Sequence, residues 1–74
     1  MNDLDAIEAT KRIAFKAIEK AERWYCEILE QCYAGQDASE AAYAKLERLD
    51  AEALRATELW CKAINDALDE APKF

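Results

Sequence analysis

The chain has 74 residues, 53% of them hydrophobic, and its 16 acidic and 10 basic side chains give a net charge of −6. This length allows one domain at most, near the size at which a small core needs a partner or a staple. The apolar content excludes a disordered acidic tail, and the negative charge disfavours unspecific attraction to nucleic acid or anionic membranes. No apolar run is long enough to span a membrane, and the N-terminus lacks the basic start of a secretion signal. We therefore expect a cytoplasmic protein with no membrane partner.

The residues that most often carry catalysis or bind metals are scarce. The chain contains no histidine, which removes the commonest acid–base catalyst and the commonest metal ligand. Its three cysteines, Cys26, Cys32 and Cys61, are odd in number and form no Cys-x-x-Cys pair. We expect them to be reduced and partly buried, with an intermolecular disulfide as the minor alternative. We predict no catalytic residue, no metal site and no cofactor.

The first half of the chain is predicted to form one helix over about residues 3–34. Apolar residues recur at spacings of three and four, with one interruption at Lys11, as in a heptad stripe. Asn2 or Asp3 is predicted to cap the start of this helix. The stripe comprises Leu4, Ile7, Ala14, Ile18, Ala21, Tyr25, Ile28 and Cys32.

A turn and a second helix follow. Gly35 stands where a helix favours a left-handed residue, and Asp37-Ala38-Ser39-Glu40 resembles a capping box. The turn is therefore predicted at about residues 35–38 and the second helix at about 39–71, where Pro72 ends it. The second stripe comprises Ala42, Leu46, Leu49, Ala53, Ala56, Trp60, Ala63 and Ala67.

These elements predict an all-α fold, an antiparallel helical hairpin that occupies the whole chain as one domain, 1–74. Residues whose numbers add up to about 73 should lie at the same level. The apolar stripes are wider than one seam between two helices requires, because large side chains flank them on both helices. We expect two hairpins to pair into a four-helix bundle, a coiled-coil homodimer whose relative orientation the sequence leaves open. The flanking residues are Phe15, Ala17, Trp24, Leu29, Leu54, Leu59, Ile64 and Leu68.

Two groups of residues are candidates for binding a partner. Trp24, Tyr33 and Tyr43 lie near the predicted turn, where they either close the end of an alanine-rich core or form a docking tip. The second group is a basic stripe on one side of helix 1, which either follows a phosphate backbone or forms a solvated face neutralised by neighbouring glutamates. The stripe comprises Arg12, Lys16, Lys20 and Arg23.

Two resemblances give this pattern further meaning. In architecture alone, with no shared motif, the predicted hairpin resembles the dimeric Rop regulator, whose first helices hold RNA loops. That likeness implies nucleic-acid binding through the basic stripe. Separately, Glu19-x-x-Glu22 and Glu47-x-x-Asp50 look like the carboxylate signature of MazG-like nucleotide pyrophosphohydrolases, which implies an Mg²⁺ site for a nucleoside triphosphate.

The sequence favours a small acidic interaction or regulatory protein that is not an enzyme. It would present a rigid helical surface to a protein partner, in the manner of an inhibitor or adaptor from a mobile element. The first alternative is a Rop-like regulator that binds RNA or another nucleic acid. The second is a MazG-like, Mg²⁺-dependent pyrophosphohydrolase.

Overall fold

The computed structural model describes residues 3–70, which form two helices of 31 residues each. Helix α1 is Asp3–Tyr33 and helix α2 is Glu40–Glu70. Each is about 45 Å long at 1.5 Å per residue, and the two pack against each other as a hairpin. The predicted all-α hairpin is confirmed, and its pairing into a four-helix bundle stays a prediction. The predicted cap at Asn2 and the predicted helix end at Pro72 lie outside the described residues.

The chain leaves α1 through a Schellman turn, as the position of Gly35 predicted. Gly35 has a φ of +81°, in the left-handed region that glycine adopts without a steric cost. The Gln36 N–H donates to the carbonyl of Gln31 at 2.9 Å, and the Gly35 N–H donates to the carbonyl of Cys32 at 3.1 Å. These two bonds satisfy carbonyls that the end of a helix would leave without partners.

The cap of α2 differs from the prediction. Ser39, not Asp37, is the capping residue, because its hydroxyl oxygen accepts the Ala42 N–H at 3.1 Å. Helix α2 begins at Glu40, so Ser39 is the residue immediately before the first turn and its side chain reaches the third N–H of the helix. The capping box proposed from Asp37 and Glu40 is therefore wrong, since it begins two residues too early.

The core between the helices is built mainly from alanine. Small side chains allow two helices to approach closely, but each buries little apolar surface. Tyr25, which was predicted within the seam, is 51% exposed, and its side chain lines a groove beside the seam instead. Cys32 is also exposed. The buried hydrophobic residues are Ala14, Ala21, Ile28, Ala38, Leu49, Ala53 and Ala56.

The antiparallel register follows the expected sum of about 73. Phe15 and Trp60 meet edge to face with ring centroids 5.5 Å apart, and the carboxyl groups of Asp3 and Glu70 are close enough at the open end for Asp3 to raise the pKa of Glu70. The helix midpoints therefore lie level, and the turn is at one end of an elongated molecule that measures 58 × 21 × 15 Å. Among residues 3–70, neither helix has an apolar stretch that could cross a membrane.

Candidate interaction surfaces

A groove on one side of the seam gathers charged side chains from both helices. We call it the polar groove, and its volume is about 390 Å³. Apart from the adjacent Arg23 and Trp24, its members are three, four or seven residues apart on each helix, so they share one side of the hairpin. The residues that define it are Lys20, Arg23, Trp24 and Glu27 of α1 with Lys45, Arg48 and Glu52 of α2.

Trp24 joins the two helices at the base of the polar groove. Its indole N–H donates to the backbone carbonyl of Ala42 at 2.8 Å. The Nζ of Lys45 lies 3.9 Å from the centroid of the indole ring, a distance at which an ammonium is attracted to the face of the ring. Trp24 therefore fixes the register of the hairpin near the turn, while part of its ring remains at the surface of the groove.

Four cations and two carboxylates give the polar groove a locally positive charge within an acidic chain. Arg23 also contacts Glu19, at 2.7 Å between Nη2 and Oε1. Both side chains of this pair are well exposed, so water screens the pair and it contributes little to stability. The guanidinium group of Arg23 thus stays available for another carboxylate or a phosphate.

The structure places three of the four residues of the predicted basic stripe in two adjoining grooves and leaves Arg12 outside both. Lys20 and Arg23 line the polar groove, and Lys16 lies in an adjoining groove with Lys20. Arg12 is exposed and lines neither of these two grooves. All four basic residues are exposed, so each remains accessible to a partner.

Sequence reasoning missed the contribution of α2 to this surface. Lys45 and Arg48 lie on the same side as Lys20 and Arg23 and complete the cationic groove. The sum of about 73 places Lys45 and Arg48 level with residues 28 and 25, which are about 7.5 Å and about 3 Å from Arg23 along the helix axis. The register could be read from the sequence. The basic stripe was predicted from α1 alone, so it did not include the two cations of α2.

The opposite side of the seam carries most of the large apolar side chains that remain exposed. A groove of about 270 Å³ on that side includes Glu22 and Tyr25 of α1 with Leu46 and Asp50 of α2. Helical spacing extends this side along both helices, because Phe15 lies one heptad before Glu22 and Leu54 lies one turn after Asp50. We call this side the apolar face, defined by Leu4, Phe15, Tyr25, Tyr33, Tyr43, Leu54 and Leu68.

The three aromatic residues predicted as anchors therefore fall on different sides. Trp24 belongs to the polar groove, whereas Tyr33 and Tyr43 belong to the apolar face. Tyr33 is 86% exposed. The pKa of the Tyr43 hydroxyl is raised above its ordinary value, mainly by the electrostatic effect of the neighbouring Cys32 side chain and then by a hydrogen bond with it.

The four carboxylates of the pyrophosphohydrolase-like pattern are only partly brought together. Glu22 and Asp50 line the same groove on the apolar face, as their level predicted. Glu19 instead pairs with Arg23. Within residues 3–70 there is no group of three or more His, Cys, Asp or Glu side chains placed to hold a metal ion.

The cysteines are free thiols, and all three are exposed. The expectation that they would be partly buried is wrong, because Cys26, Cys32 and Cys61 lie outside the alanine-rich zone where the helices touch.

Models of protein families, curated proteins and solved structures gave no significant match to this chain. The geometry of the hairpin is thus the basis for assigning a role to its surfaces.

Proposed function

We propose that the chain is a small non-enzymatic interaction protein that presents a rigid helical surface to a protein partner, in the manner of an adaptor or inhibitor. The polar groove is the contact surface. The observation that carries this proposal is that four cations from two helices surround a half-buried indole, Trp24. Aromatic and arginine side chains contribute most to binding energy at protein interfaces.

The chemistry of the polar groove favours a partner segment that carries carboxylates. Arg23 and Arg48 each offer a planar set of donors that matches a carboxylate, and Lys20 and Lys45 add positive charge on either side. Glu27 and Glu52 at the rim favour a partner with its own cations at fixed positions. The Lys45 ammonium already contacts the Trp24 ring in the free hairpin. These two side chains therefore lose little conformational entropy when a partner binds.

A second candidate function, binding to RNA, is favoured by the same cations. Lys16, Lys20 and Arg23 on α1 with Lys45 and Arg48 on α2 would neutralise phosphates, and affinity would then fall steeply with added salt. The pyrophosphohydrolase alternative receives no such support, because only two of its four carboxylates share a groove.

The proposal is tested by affinity purification of the full chain from its own cells, with and without nuclease, followed by quantitative mass spectrometry. A double substitution, Lys20→Glu with Arg48→Glu, should lower the recovery of one partner protein by about tenfold or more. The matched control, Arg55→Glu with Lys62→Glu, makes the same change of charge at exposed positions of α2 that lie one and two heptads beyond Arg48, outside the polar groove, and should preserve recovery.

Equal recovery with both double substitutions would overturn the assignment of the polar groove. If the partner protein is no longer recovered after nuclease treatment, its association depends on RNA. That result would favour the second candidate function, RNA binding.

A further inference from the structure

The large side chains of the apolar face stay exposed in the hairpin, although the face runs along both helices. Of the nine large hydrophobic residues that are exposed within residues 3–70, seven lie on the apolar face and two, Ile13 and Leu59, lie on the side of the polar groove. Single exposed hydrophobic residues are ordinary on a protein surface, whereas a continuous face of them marks an interaction site.

The hairpin by itself has a thin core. Five of its seven buried hydrophobic residues are alanine, and within residues 3–70 no large side chain is fully buried. The apolar face is about 45 Å long and the molecule is 21 Å wide, so the face offers an area on the order of 900 Å². Each partner in a standard protein interface contributes about 800 Å². The apolar face is therefore large enough for one stable interface with another hairpin.

The charged residues on the apolar face indicate which kind of partner is complementary to it. Glu22 and Asp50 form an acidic pair at one level, and Lys11 is the basic residue beside Phe15, with its Nζ 5.5 Å from the centroid of the phenyl ring. The acidic pair lies on the turn side of the midpoint of the hairpin, and the Lys11 ammonium lies on the open side. Glu8, one heptad before Phe15, also lies on the open side, so that half carries one charge of each sign whereas the turn half is acidic. A surface whose two halves differ in charge in this way is better matched to a reversed copy of itself than to a parallel one.

The register of that reversed copy follows from the helix bounds. The midpoints of α1 and α2 are residues 18 and 55, and a two-fold axis at that level makes the two copies overlap along their full length. This axis places Phe15 of one copy level with residue 21 of the other, because both are three residues from residue 18. The Lys11 ammonium lies beside the Phe15 ring and is therefore near the same level. That level lies next to the carboxylates of Glu22 and Asp50. A parallel pairing would instead bring four carboxylates to one level, where like charges repel.

We propose that a second copy of this chain covers the apolar face head to tail, so that the turn of each hairpin lies beside the open end of the other. In this four-helix bundle each α1 packs along the other α1, and Lys11 of each copy faces the acidic pair of the other. The inference goes beyond the proposed function, since it concerns the opposite side of the hairpin and leaves the polar groove open.

The first test is the molar mass of the full chain, measured by light scattering over a hundredfold range of concentration under reducing conditions. We expect about 17 kDa, twice the chain mass of 8.4 kDa. Leu54→Glu should raise the dimer dissociation constant by about a hundredfold or more, because it places a charge in the interface. The matched control is Leu59→Glu, since Leu54 and Leu59 are 61% and 59% exposed on opposite sides of α2.

A monomeric mass for the unmodified chain would overturn the proposal, and so would equal weakening by Leu54→Glu and Leu59→Glu. Should Leu54→Glu lose its helical circular dichroism, Phe15→Glu and its control Ile13→Glu make the same comparison on α1, at 51% and 60% exposure.

The second test is a charge exchange that reports the orientation. Lys11→Glu should raise the dimer dissociation constant by about tenfold, because it sets a carboxylate against Glu22 and Asp50 of the second copy. Adding Glu22→Lys should restore the constant to within about threefold of the original, since the exchanged pair attracts again. An unchanged constant for Lys11→Glu, or a double variant as weak as the single one, would contradict the head-to-tail arrangement.

Discussion

The two sides of the hairpin have similar backbones and very different surfaces. On one side, the polar groove combines four cations with two carboxylates around Trp24. On the other, the apolar face exposes leucine and aromatic side chains and carries Lys11, Glu22 and Asp50 near its middle. Because one seam produces both sides, the difference arises from the residues that flank the seam. The two sides of a helical hairpin can thus carry different binding surfaces while the core between the helices stays the same.

Three leucines allow a direct test of this difference, because one lies in the seam and one lies on each side of it. Leu49 is 8% exposed in the seam, Leu54 is on the apolar face and Leu59 is beside the polar groove. We expect Leu49→Ala to lower the free energy of unfolding by about 2–3 kcal/mol, since it leaves a cavity. Leu54→Ala should cost about 1–2 kcal/mol if the proposed second copy buries that side chain. Leu59→Ala should change it by less than about 0.5 kcal/mol.

Urea unfolding at one fixed protein concentration measures all three effects, since the stability of a dimer depends on concentration. Equal, small losses for Leu54→Ala and Leu59→Ala would show that the two sides do not differ in burial.

The two tryptophans provide a comparison of hydrogen bonding. The Trp24 N–H donates to the carbonyl of Ala42, whereas the Trp60 Nε1 is buried without a partner in the described part of the chain. Trp24→Phe should therefore cost about 1 kcal/mol of unfolding free energy. Trp60→Phe should cost less than Trp24→Phe, or stabilise the fold, because it removes a donor that burial leaves unsatisfied. Thermal unfolding of both variants tests the order, and a larger loss for Trp60→Phe would contradict it.

The smallest effect concerns the open end, away from both grooves. The pKa of Glu70 is raised, first by its hydrogen bond with Asp3 and then by the negative charge of that neighbour. The native state therefore binds this proton more tightly than the unfolded chain does, so the contact stabilises the fold as pH falls through the raised pKa and repels above it. At neutral pH Glu70→Gln should raise Tm by about 1 °C.

Differential scanning fluorimetry from neutral pH to pH 4 follows this difference, which should shrink as the pH falls. Glu58→Gln, an exposed change in the middle of α2, is the control. A difference that grows on acidification would show that the contact between Glu70 and Asp3 has the opposite sign.

The hairpin was predictable because its signals are local and repeated. The spacing of three and four fixed the seam through Ala14, Ala21, Leu49 and Ala53, and the left-handed turn needed Gly35. The cap was misplaced, because Asp37 and Ser39 are both good capping residues and only the first residue of α2 decides between them.

The surfaces were less predictable, since they combine residues that are far apart in the chain. The cations of α1 were visible as a stripe, but Lys45 and Arg48 join them only once the register of the two helices is known. Tyr33 and Tyr43 were grouped with Trp24 by their distance from the turn, although helical spacing places them on the other side. The exposure of the three cysteines depends on how narrow an alanine-rich seam is, which a heptad pattern does not specify.

The distance between the two turns in the dimer distinguishes the head-to-tail arrangement from a parallel one in a single measurement. A nitroxide label on Gln36→Cys, with the three native cysteines replaced by serine, reports that distance by double electron–electron resonance. The head-to-tail dimer on the apolar face predicts about 45 Å or more, because a full helix length separates the turns. A distance below about 20 Å, as expected for turns on neighbouring helices, or the absence of any dipolar signal, would contradict it.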